Sequence, residues 1–160
     1  MDEIGRRTFL ALAAAPIYAA GPLVTFTPAE AKLVASISDC VIPAGDGPGA
    51  TEAGVIYYID RQLSGPLQRF HEAYRTGIPR FESACHARHG RSFSDLDAES
   101  RTSFLQTIES GDDAELRGFF AMVVDHTMQG FYGAPSHGGN RDEVSWKMLG
   151  IADVMEGHKH

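Results

Sequence analysis

The sequence predicts an all-α protein: a compact, irregular bundle of about six helices with a long glycine-rich C-terminal loop. Three observations carry this. Apolar residues recur at helical spacing in one segment after another. Capping residues and Gly or Pro stops bracket those segments. No alternating apolar–polar run reaches the length of a strand. At 160 residues and 43% hydrophobic, the chain suits one domain with a sizeable core and is too apolar to be disordered.

Residues 1–21 stand apart from the body. Arg6-Arg7-Thr8-Phe9-Leu10 resembles the twin-arginine export signal, in which two arginines precede a polar residue and an apolar pair. The Ala-rich run from Thr8 to Ala20 has the length of a secretory apolar region. A signal peptide for folded cargo is the expected reading; a retained N-terminal helix is the rival. The cleavage signal is weak, because Tyr18 is bulky for a small-residue position and Pro22 follows Gly21. No run approaches the ~18–20 uninterrupted apolar residues of a membrane span.

The body begins at residue 22. Thr27-Pro28-Ala29-Glu30 is a capping box with Pro at the first helical position, leading a helix with Leu33, Val34, Ile37 and Val41 on one face. Pro43 stops it, and a loop of Gly and Pro follows to Gly49. Val55, Tyr58, Ile59 and Leu63 mark a second helix, ending at Ser64-Gly65-Pro66. Leu67, Phe70 and Tyr74 mark a third, closed by Gly77. Ile78, Phe81, Cys85 and Arg88 belong to a fourth that ends at Gly90. Asp97 caps a fifth, with Phe104, Leu105 and Ile108 inward. Asp113 starts the most apolar helix, with Leu116, Phe119, Phe120, Val123, Val124, Thr127 and Met128, running to about Gly130. From Gly133 to Trp146 the helical pattern disappears, and a loop of that length is expected to be functional or disordered.

Composition narrows the function. The net charge is −7 and the 14 Lys and Arg are scattered, which argues against a duplex nucleic-acid partner. Cys40 and Cys85 each fall at an apolar helical position, so two buried free thiols are expected, with one disulfide as the alternative. Glu82, His86 and His89 share a helix face and could in principle hold a transition metal, but a polar exposed face is the favoured reading. His71-Glu72 lacks the second His of the zinc-protease motif. No Gly-x-Ser-x-Gly elbow and no strand-borne Gly-x-Gly-x-x-Gly is present, so no catalytic, cofactor or metal residues are assigned.

What remains is a segment to be recognised. Gly138, Gly139, Asn140, Arg141, Asp142 and Trp146 combine backbone freedom, an Asx-type hydrogen bonder, a pair of opposite charges and a large amphipathic anchor. Two readings stay open and are compatible. The segment folds back with Trp146 plugging the core, or it forms a partner interface.

Several runs together resemble the gluconate 2-dehydrogenase subunit 3 family. They are Thr27-Pro-Ala-Glu-Ala, Val41-Ile-Pro43, Gly54-Val-Ile-Tyr-Tyr-Ile-Asp60-Arg-Gln-Leu63, Thr127-Met-Gln-Gly-Phe131-Tyr-Gly-Ala-Pro135, Gly138-Gly-Asn-Arg-Asp142 and Trp146-Lys-Met-Leu-Gly150. The likeness spans essentially residues 26–152, inside a small-subunit domain drawn at 22–152, and leaves 153–160 as a tail. Where such sequences usually have Gly close before the Trp, this chain has Ser145. The resemblance implies a non-catalytic small subunit of a flavin-dependent sugar, glycoside or sugar-acid dehydrogenase. FAD and the catalytic base would lie in a large partner of the glucose-methanol-choline type, with a cytochrome c subunit or another acceptor taking the electrons. The small subunit would stabilise the flavoprotein and lend it a twin-arginine leader, placing the complex in the periplasm, in some cases membrane-associated through the cytochrome. An autonomous periplasmic metal- or ligand-binding protein is the alternative.

Overall fold

The computed structural model describes residues 21–156. Arg6, Arg7, Phe9 and Leu10 lie outside the described residues. Among the described residues seven α-helices follow one another: α1 (Pro28–Val41), α2 (Val55–Gln62), α3 (His71–His89), α4 (Ala98–Ser110), α5 (Ala114–Tyr132), α6 (Val144–Met148) and α7 (Ala152–Glu156). No strand occurs among the described residues. The fold is the expected all-α bundle.

Helix α5 is its axis, packing against α1, α2, α3, α4 and α6. Its buried stripe of Leu116, Phe119, Val123, Thr127 and Phe131 has the three-to-four-residue spacing of one helix face. The caps form where the sequence places them. Thr27 and Glu30 bond each other's backbone N–H at the start of α1. Asp97 accepts from the Ser100 N–H, and Asp113 from the Glu115 and Leu116 N–H groups. A buried polar link crosses the core between α1 and α5, the 2.9 Å contact of the Ser38 and Thr127 hydroxyls.

Two differences from the sequence reading stand out. First, Gly77 does not end a helix. The third and fourth expected helices are one, α3, with Gly77 and Pro79 inside it. Gly77 is small for a packing reason, since a Cβ there would lie 2.1 Å from the Phe119 ring. Phe119 thus sits against the α3 backbone and joins Tyr74 and Phe81 in edge-on and tilted ring contacts. Second, the C-terminal loop is largely ordered into short turns. Two 3₁₀ turns, Pro135–His137 and Arg141–Glu143, lead into α6. Elements of three to five residues are too short to show periodicity.

Both cysteines are free, Cys85 fully buried and Cys40 half-buried. Burial pushes the Cys85 thiol up to about 11, with the Glu82 charge adding to the shift.

Candidate functional site

The segment from Gly133 to Trp146 is strapped across the ends of α5 and α2, and Asn140 is its centre. Asn140 is fully buried. Its backbone N–H donates to the Gly130 carbonyl at 2.8 Å, and its Nδ2 to the Gly133 carbonyl at 2.9 Å. Its Oδ1 accepts from the Ser145 N–H at 3.0 Å and the Ser145 hydroxyl at 2.8 Å. The next N–H, of Arg141, donates to the Ala53 carbonyl just ahead of α2. The Trp146 indole is buried, and its Nε1–H donates to the Tyr132 carbonyl at 3.0 Å.

Glycines permit this closeness. A Cβ on Gly139 would lie 2.2 Å from the Gly130 carbonyl oxygen, and one on Gly130 would lie 2.8 Å from the Tyr58 ring. The strap is also bent. Asn140, Asp142 and Glu143 have φ of 43°, 55° and 58°, a left-handed region that costs non-glycine residues on the order of 1 kcal/mol each. The buried bonds of Asn140 offset that strain.

The six candidate residues therefore divide. Gly139, Asn140 and Trp146 face inward and build the strap. Gly138, Arg141 and Asp142 reach the surface, where with Gly139, Tyr57, Arg61 and Pro135 they line a hollow of about 290 Å³. The Arg141 guanidinium stacks 5.5 Å from the Tyr57 ring centroid. Gly138 and Gly21 both lie against the Arg61 side chain. Gly21, the first described residue, is thus on the rim of this hollow.

Asp60 holds the segment that follows Gly21 against α2, and the sequence reading did not single it out. Asp60 is 1% exposed. Its Oδ2 accepts from the Val24 N–H at 2.6 Å, and its Oδ1 from the Thr25 and Phe26 N–H groups at 2.9 and 2.8 Å. Its backbone carbonyl takes the Thr25 hydroxyl at 2.8 Å. Such charge-assisted bonds are stronger than neutral ones. The available signal was an acidic residue directly after Ile59 in an apolar helix.

Glu82, His86 and His89 do not assemble into a ligand set. Glu82 accepts the Phe93 N–H at 3.1 Å, and His86 Nε2 is 3.8 Å from Glu82 Oε2. His89 turns its ring edge-on to Phe104. Among the described residues, no group of three or more His, Cys, Asp or Glu is placed to hold a metal ion. One buried pair was not foreseen: the Tyr74 hydroxyl is 3.0 Å from His126 Nδ1, between α3 and α5. Burial raises the Tyr74 hydroxyl far above its ordinary value and lowers the His126 imidazole.

The described residues thus form a helical scaffold in which buried Asp60 and Asn140 hold the chain's own N-terminal and C-terminal segments. The sequence model for gluconate 2-dehydrogenase subunit 3 matches residues 28–152, and the chain belongs to that family. No curated protein and no solved structure gives a significant match.

Proposed function

We propose that this chain is the non-catalytic small subunit of a flavin-dependent sugar, glycoside or sugar-acid dehydrogenase. It binds the folded FAD-bearing subunit, stabilises it, and directs its export on the twin-arginine leader. Membership of a dehydrogenase-subunit family over residues 28–152 carries this reading. Two features support it. The leader begins with Arg6 and Arg7, a signal type suited to folded cargo. The Asp60 clamp makes residues 24–26 part of the folded domain, which suits a leader whose cargo crosses the membrane folded. Binding the native flavoprotein but not its unfolded chain stabilises it by mass action.

The test is purification of tagged chain from its native source with an absorbance spectrum of what elutes. A co-eluting large flavoprotein, with sugar oxidation absent from the small chain alone, is the expected result. A colourless monomer without a partner overturns the reading. Changing Arg6 and Arg7 together to Lys is expected to leave dehydrogenase activity in the cytoplasm. Normal periplasmic activity in that variant removes the export role.

A further inference from the structure

We infer that the face formed by the end of α5 with α6 and α7 is where this chain docks onto the large subunit of its dehydrogenase. The inference rests on the accessory-subunit reading and locates its interface.

Among the described residues, the large apolar side chains that stand out into solvent are Val24, Met128, Tyr132, Met148, Leu149 and Val154. All but Val24 fall between residues 128 and 154. Met128 and Tyr132 are one turn apart on α5, so they share a face. The Trp146–Tyr132 hydrogen bond pins α6 beside that last turn. Met148 then reaches the glycine-rich loop after α1, its sulfur close against Gly47. Leu149 follows it, and α7 packs on α6 and carries Val154. Sequence patterning had no reason to leave these residues outside, since each would serve equally well in a core.

Size and rigidity indicate the occupant. At 38–61% exposure, the five residues bring together a few hundred Å² of exposed surface, about the size of the largest patch on a monomer, which is often functional. About 800 Å² per partner makes a stable interface between different chains, with an apolar centre and a polar rim. Exposed Lys147 of α6 and Asp153 of α7 supply charged groups on the same elements. A permanent pair of identical chains usually needs a larger and more apolar face. The strap that positions α6 is bent and internally bonded before any partner arrives, so docking carries little ordering cost. These features fit a second, different subunit with an apolar concavity.

The test compares the wild-type chain with Met148→Glu/Leu149→Glu, each co-expressed with the large flavoprotein subunit. Ala73→Glu, on exposed α3 beside the groove between α3 and α5, is the control. Met148 and Leu149 are about half exposed, so the double variant is expected to keep the wild-type melting temperature. Its affinity for the large subunit is expected to fall about 100-fold while the control binds normally. Wild-type affinity in the double variant overturns the docking face and leaves the accessory role standing. A wild-type chain that runs alone as a dimer, broken by the double substitution, assigns the face to a second copy and overturns the inference. Failure of the wild-type chain to bind the large subunit at all overturns the accessory reading and the docking face with it.

Discussion

Asn140 and Ser145 are joined twice, because the one side-chain oxygen of Asn140 takes both the N–H and the hydroxyl of Ser145. The pair closes a loop of bonds that runs through Gly130 and Gly133 to the end of α5. Ser145 is thus a working part of the strap. Its hydroxyl adds one buried bond to the N–H bond that any residue could make.

Asn140→Ala is expected to cost about 3 kcal/mol, since it strands the buried Ser145 N–H and the Gly133 carbonyl in a bent backbone. Ser145→Ala removes one hydroxyl bond and is expected to cost about 1 kcal/mol. Urea denaturation of both variants checks the order. Equal midpoints would mean that the hydroxyl matters as much as the whole Asn140 side chain.

Asp60→Ala is expected to release the segment ahead of α1 and cost about 3 kcal/mol, because three N–H groups lose their acceptor. Limited proteolysis should then cut before Phe26 in the variant and spare that stretch in the wild type. Asp60→Asn should be milder, since one oxygen can still serve Thr25 and Phe26. A protease pattern unchanged in Asp60→Ala would remove the clamp.

The glycines divide by what surrounds them. Gly139→Ala is expected to destabilise by about 2–3 kcal/mol, because its methyl meets the Gly130 carbonyl, a backbone atom that cannot swing away. Gly118→Ala, on α5 with nothing within 4 Å, is expected to stabilise by up to about 1 kcal/mol. Melting temperatures moving in the same direction would contradict this contrast.

The buried His126 sets an acid limit. Desolvation lowers its imidazole below the ordinary value of 6.5, opposed by Asp125 and aided by Arg69. The Tyr74 hydroxyl and the Phe70 ring also face it. The unfolded chain therefore binds a proton at a higher pH than the folded one. Stability from this site is full above 6.5 and is lost as pH falls through it toward the lower folded value. The melting temperature should decline over that range, and His126→Gln should flatten the decline. An equal slope in the variant would place the acid sensitivity elsewhere.

Much of the bundle was legible because its signals are local. The Thr27–Glu30 box, the Asp97 and Asp113 caps, the Gly90 stop and the apolar stripes of α1, α2, α4 and α5 each act within a few residues. The family, too, was readable from residue runs, above all Gly138 to Asp142 with Trp146. Gly77 misled for the same reason. A glycine between two apolar runs is locally a stop, and only Phe119, 42 positions away, shows that it is a packing site.

The sequence by itself determined where the long helices α1 to α5 lie and where most of them start and end, because caps, prolines and side-chain periodicity act along the chain. Only the tertiary structure decided what Asp60, Asn140 and the exposed apolar residues of α5 to α7 are for. Asp60 reaches partners 34 to 36 positions away, and the strap ties the C-terminal segment to Ala53. A hydrogen bond depends on distance and direction in space, and a solvent-facing methionine has the same local pattern as a buried one. Both are settled only when the helices pack.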